Sequence, residues 1–120
     1  MENVKTVPVV ISAGTVTGNK VRNQDGEHVG KVEEIVLDVK TGQVAYVVMS
    51  FGGVLGMGEK FFAVPWSSLV LDTEEHEFVM NVDKDLLKKA PGFDKDHWPK
   101  SDSYDWMVEV YDYYDAPRYW

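Results

Sequence analysis

The chain of 120 residues contains no cysteine. That removes disulfides, thiolate nucleophiles, cysteine-ligated zinc and iron–sulfur clusters, and it fits a reducing compartment. Long apolar runs are missing too. No stretch approaches the roughly 20 apolar residues a membrane-crossing helix needs, so no membrane span is expected. The short apolar run at residues 7–11 contains Pro8 and follows Glu2, which matches neither the core nor the basic start of a secretion signal. The protein is expected to stay where it is made, in the cytoplasm. Positive charge is scarce: 12 Lys and Arg stand against 20 Asp and Glu, a net charge of −8. Such a surface repels nucleic-acid phosphates, which bind proteins largely through Lys and Arg, and anionic lipid headgroups. Direct nucleic-acid contact is not expected, and protein partners are favoured.

Residues that carry chemistry are equally thin. The three histidines, His28, His76 and His97, share no local motif, whereas a zinc site needs three or four convergent ligands. Asp94, Asp96 and His97 come nearest to a cluster and read as a solvated acidic loop. Glu33 and Glu34, like Glu74 and Glu75, are neighbours that a strand would send to opposite faces, so they do not form an acid–base pair. Ser67 and Ser68 lack the Gly-x-Ser-x-Gly setting of a nucleophile. The glycine-rich run at residues 52–58 leads into a strand, and Lys60 is not followed by Ser or Thr. It reads as a wide turn or bulge rather than a phosphate cradle. No catalytic residue, cofactor or metal ligand is assigned, and no enzyme activity is expected.

What is present is an ordinary globular composition, 44% hydrophobic and 27% charged, long enough for one core. The pattern predicts short strands between turns. Asn23 to Gly26 is a turn signal. Residues 29–39 alternate as a long strand, and Lys40-Thr41-Gly42 turns the chain. Residues 43–51 are the most strand-like, with Val44, Tyr46 and Val48 expected on one face and Ala45, Val47, Met49 and Phe51 on the other. Both faces are apolar, so something besides the core must cover this strand. Strands are also predicted over 61–66, where Pro65 marks an end, and over 67–71 and 77–82. A short helix over 83–90, with Leu86, Leu87 and Ala90 facing inward, stops at Pro91-Gly92, and 93–100 reads as loop. The sum is a mainly β fold, a small six-stranded barrel.

Several of these segments resemble the PRC-barrel family: Val16-Thr17-Gly18, Val29-Gly30-Lys31-Val32, Ile35-Val36-Leu37-Asp38, residues 41–47, and above all residues 50–60 followed by Phe62-Ala63-Val64-Pro65-Trp66. The resemblance covers roughly residues 13–93, with 1–12 as an N-terminal segment and 94–120 as an acidic, aromatic extension similar to tails of stand-alone bacterial members. It implies a small β-barrel with a binding role. Through the family it also suggests two other settings. One is a cytoplasmic accessory of a membrane electron-transfer complex, as with the photosynthetic reaction centre H subunit. The other is a ribosome-assembly adaptor.

The extension is the sharpest feature. Residues 101–120 hold five of the six tyrosines and two of the four tryptophans. Met107, Val110, Tyr111 and Tyr114 lie at helical spacing, while Trp106, Val108 and Val110 alternate as in a strand. The window's length and its Asp-rich start favour a helix over 102–114, ended by Pro117. Tyr and Trp suit protein interfaces because they bury large area with a polar handle. The interface is therefore placed on Tyr46, Val48 and Phe51 of the two-faced strand and on Trp106, Val110, Tyr111, Tyr114, Tyr119 and Trp120 of the extension. Two arrangements stay open: the extension folds back on its own barrel, or it docks on another chain. A homodimer that recruits another protein is the expected function.

Overall fold

Seven strands form one sheet in the computed structural model, which describes residues 8–50, 60–72, 74–82, 84–94, 97–100 and 104–120. The strands are β1 (Lys20–Arg22), β2 (His28–Leu37), β3 (Val44–Ser50), β4 (Lys60–Val64), β5 (Leu69–Asp72), β6 (Glu77–Met80) and β7 (Gly92–Asp94). Their order across the sheet is β5-β6-β1-β2-β3-β4-β7. All neighbours are antiparallel except β1 and β6, which run parallel. Among the described residues three short α-helical pieces accompany the sheet: α1 (Ala13–Val16), α2 (Lys84–Lys88) and α3 (Tyr104–Tyr113).

The connection from β4 to β5 dictates the shape. Val64 and Leu69 are joined only by Pro65 and a 3-10 turn, Trp66–Ser68, a path of at most about 18 Å. In sheet order β4 and β5 are separated by five strand spacings, about 24 Å if the sheet were flat. The sheet therefore curls, and side chains from β1 through β6 meet in one inner core of Val21, Val29, Val32, Val47, Met49, Phe62, Val64, Leu69, Phe78 and Met80. Among the described residues no ladder joins β5 to β7, so the sheet is curled but open, with seven strands rather than a closed six-stranded barrel.

Bulges decide which residues reach that core. Val21 pairs with Gly30 and Arg22 with His28, so Val29 is an extra residue on β2. Val32 pairs with Met49 and Glu34 with Val48, which makes Glu33 another. Each bulge shifts the two-residue rhythm, and Val29, Val32 and Ile35, three apart, all pack on the inner core. A third bulge lies on β3. Leu37 pairs with Val44 and Val36 with Tyr46, leaving Ala45 as the extra residue. Strict alternation therefore fails there: Val44 joins Val47 and Met49 on the inner core, while Ala45 joins Tyr46 and Val48 on the outer face. β2 also stops earlier than expected, and beyond it Val39 is 94% exposed in the hairpin turn.

β7 occupies a segment expected to be loop. Pro91 and Gly92 do end α2, but Gly92 then opens a strand against β4, pairing with Phe62. The approach is close: a Cβ on Gly92 would lie 2.9 Å from the Phe61 carbonyl oxygen and 3.1 Å from the Phe62 ring. Only glycine fits without moving backbone. Gly92→Ala is expected to cost about 1–3 kcal/mol, the usual penalty for overpacking. The measurement is a denaturant midpoint, and an unchanged midpoint would show that β7 is not held this tightly. α2 is shorter than expected. Its Leu87 is fully buried, whereas Leu86 is 38% exposed rather than inward-facing, because five residues present only a narrow stripe to a core.

Candidate functional site

The second apolar face of β3 is covered by the chain's own C-terminal helix. Val110 and Tyr111 of α3 are buried against Ala45, Tyr46, Val48, Phe61, Ala63 and Phe93. The bulge provides the main polar tie. Ala45 is out of the ladder, and its carbonyl accepts a 2.6 Å hydrogen bond from the buried Tyr111 hydroxyl. Without such a donor, a buried carbonyl would cost free energy. The strand irregularity and the helix's tyrosine are thus complementary. At the other end of the seam Phe93 stacks edge-to-face on Phe61 and on Trp106.

The helix ends by a Schellman motif, which sets the course of the last residues. Ala116 N–H donates to the Tyr111 carbonyl and Asp115 N–H to that of Asp112, with Asp115 at φ 50°. Pro117 follows, where Pro is common because it cannot continue a helix. The chain then turns back over the seam. Tyr111, Tyr119 and Trp120 pack their rings together, with centroids 4.8–6.3 Å apart. Tyr104 adds an edge-on contact to Trp120 and accepts a hydrogen bond from its indole N–H. Arg118 lies over the Trp120 ring. The Tyr119 hydroxyl donates to Asp38 Oδ2 at 2.7 Å, in the β2–β3 turn.

The sequence-derived interface residues can be placed individually. Tyr46, Val48, Val110 and Tyr111 lie inside the seam, Trp106 at its margin beside Phe93, and Tyr114 between the inner core and the seam. Tyr119 and Trp120 form the outer rim. Phe51 and the glycine-rich run 52–58 lie outside the described residues, as do Asp96 and residues 83 and 101–103. Sequence reasoning did not single out Trp66 or Asp38. Asp38 carries no signal of its own, since Asp in a Lys-Thr-Gly turn is ordinary turn chemistry. Trp66 was expected to continue β4. Instead it opens the 3-10 turn, 37% exposed, with its ring edge-on to Phe78.

Burial raises the pKa of Tyr46 and Tyr111, and raises that of Tyr114 far more, with the neighbouring Tyr113 adding to the last. Tyr119 is raised by desolvation and by Asp38. Among the described residues the buried Tyr114 hydroxyl has no hydrogen-bond partner. Asp38 is lowered, chiefly by the Tyr119 hydrogen bond and then by the Lys40 backbone N–H. The signs fix a stability window. A carboxyl depressed in the folded state contributes above about pH 4 and loses that contribution as pH falls through its folded value; a raised tyrosine contributes below about pH 10 and loses it as pH rises. The seam is therefore expected to loosen at both extremes. Tyr119→Phe should make the acid limb of a melting-temperature profile shallower, leaving only the smaller contributions of Lys40 and Thr41 on Asp38. An acid limb parallel to the parent's would show that the Asp38–Tyr119 bond contributes nothing.

Elsewhere several charged groups have partners. Arg22 bonds Asp72 at 2.9 Å and approaches Glu77 at 3.6 Å. Glu33 Oε2 accepts from Ser50 Oγ at 2.6 Å. His97 lies 3.9 Å from Asp94. Among the described residues no group of three or more His, Asp or Glu could hold a metal ion, and no helix is long and apolar enough to cross a membrane.

A curled, mainly β sheet with a helix laid across its outer face defines a small β module whose distinctive chemistry is aromatic. The PRC-barrel domain family model matches residues 8–87, and the chain belongs to that family. The match ends before β7 and α3, so the seam is built partly from residues beyond it. A search of curated proteins returned no match to the chain.

Proposed function

We propose that this chain is a non-enzymatic protein-binding module whose recognition surface is the aromatic rim where the C-terminal extension returns to the sheet. One observation carries this. Although the extension buries Val110 and Tyr111 on its own sheet, aromatics along the rim remain open: Tyr104 is 54% exposed, Trp120 41% and Trp66 37%. Exposed Trp and Tyr in one neighbourhood are unusual for a surface with no partner and are enriched at binding hot spots. The rest of the extension serves to hold that rim rigid.

The expected homodimer loses its motivation in this arrangement. It rested on the second apolar face of β3, which this chain's own helix covers. Light scattering is expected to give the mass of one chain at micromolar concentration; a two-chain mass would restore the homodimer reading. The binding reading itself is tested by pull-down from lysate of the source cells with the full chain and with Trp66→Ala and Trp120→Ala. A protein held by the parent and lost with either rim variant supports it. Retention of every partner by both variants would move recognition elsewhere.

A further inference from the structure

Between the rim and the sheet lies a notch of about 310 Å3 lined by Gln43, Val44, Trp66, Tyr111, Pro117 and Tyr119. We infer that this notch binds a proline-rich segment in the polyproline II conformation, flanked by basic residues. The inference rests on the protein-binding reading above and names its ligand class.

Three observations lead there. The first is the lining. Trp66 and Tyr119 border the notch, with the buried Tyr111 behind them, and flat aromatic walls suit the rigid ridges of a polyproline II helix, which loses little entropy on docking. The volume is at the small end of ligand clefts, room for a few residues of an extended peptide. The second is preorganisation. Trp66 is braced by Phe78, Tyr111 by its bond to Ala45, and Tyr119 by Asp38, so the walls are fixed before a ligand arrives. The chain's own Pro117, in a stretch without regular structure, already lies among these rings. The third is polarity and charge. Polyproline II leaves its carbonyls unbonded, and the exposed Gln43 on the rim can donate to one. Asp38 stands behind Tyr119, and the chain carries a net charge of −8, which favours cationic residues beside the prolines and makes association salt-sensitive.

The test uses the full chain and a synthetic ten-residue peptide of eight prolines with an arginine at each end. The control peptide has alternate prolines replaced by glycine. Tryptophan fluorescence and amide NMR shifts are followed during titration. Saturable binding of the proline peptide is expected, with shifts centred on Gln43, Trp66 and Tyr119. The glycine control should bind at least tenfold more weakly, and affinity should fall as salt rises. Trp66→Ala should weaken binding at least tenfold. Gln43→Arg, a change at an exposed position that leaves the core untouched, should weaken it by repelling the arginines, and this variant keeps the test valid if Trp66→Ala proves unstable. Trp98→Ala, whose ring packs on Phe61 and Phe93 and does not line the notch, should bind as the parent does. Absence of saturable binding, equal binding of the control peptide, or parental affinity in both notch variants overturns the inference. If the proline peptide fails while a lysate partner is still held by the parent and lost with Trp66→Ala, only the ligand class is wrong. If both fail, the protein-binding reading falls with it.

Discussion

A chain ending at Lys100 is expected to lose most of its stability and much of its solubility. The cut removes Val110 and Tyr111, buried to 0% and 3% exposure, each worth about 1.5–3 kcal/mol of apolar burial. It also uncovers Ala45, Tyr46, Val48, Phe61, Ala63 and Phe93, a continuous apolar face across β3, β4 and β7. The combined loss, about 5 kcal/mol or more, is comparable to the whole stability of many domains, about 5–15 kcal/mol. The truncated chain should bind a hydrophobic dye, lose its near-ultraviolet aromatic signal and melt at least about 15 °C below the parent, at roughly 4 °C per kcal/mol for a chain of this size. A soluble truncation melting within about 5 °C of the parent would show that the extension is an appendage rather than half of a core. The truncation is for that reason a poor probe of recognition, since loss of binding would follow from loss of structure. Single changes on the rim separate the two.

The helix of the extension was legible because its signal is local: Met107, Val110, Tyr111 and Tyr114 recur at 3–4-residue spacing, and α3 spans Tyr104–Tyr113. The need for a cover on β3 was legible as well, because both faces of residues 44–50 are apolar. The choice between covering its own sheet and another chain was not, since the same Tyr and Trp residues serve either surface. The bulges were hidden for a related reason. A period-two reading assumes an unbroken ladder, and the ladder breaks at Ala45 because of how β2 and β3 register, which neither strand's own residues announce. Gly92 shows the same limit. Next to Pro91 it reads as a helix stop, and it is one, but what makes glycine necessary is the Phe61 carbonyl some thirty residues earlier in the chain. The rim is the hardest case. Trp66 falls within the strand predicted over 61–66, and only the turn at Pro65 and the short link to β5 put it at the surface.

Phe61 and Phe62 are neighbours on β4 that face different cores, and this makes Phe62→Ala the most informative change in the sheet. Phe62 is 2% exposed, pairs with Met49 and packs in the inner core; Phe61 belongs to the seam with Phe93 and α3. Removing the Phe62 ring is expected to cost about 3–5 kcal/mol, the transfer of the lost atoms plus the cavity left behind, and to lower the melting temperature by about 12–20 °C. The larger consequence concerns the seam. β3 and β4 carry side chains of both cores on one backbone, so the seam cannot keep its geometry once the inner face is lost. The far-ultraviolet signal of the sheet and the near-ultraviolet signal of Tyr111, Tyr119 and Trp120 should therefore disappear together in Phe62→Ala, in one transition, as they should in the parent. Two separated transitions would mean that the extension opens as its own unit. A rim that moved independently of the sheet could not hold its aromatic walls fixed, and the proposed recognition at the notch would lose its preorganisation.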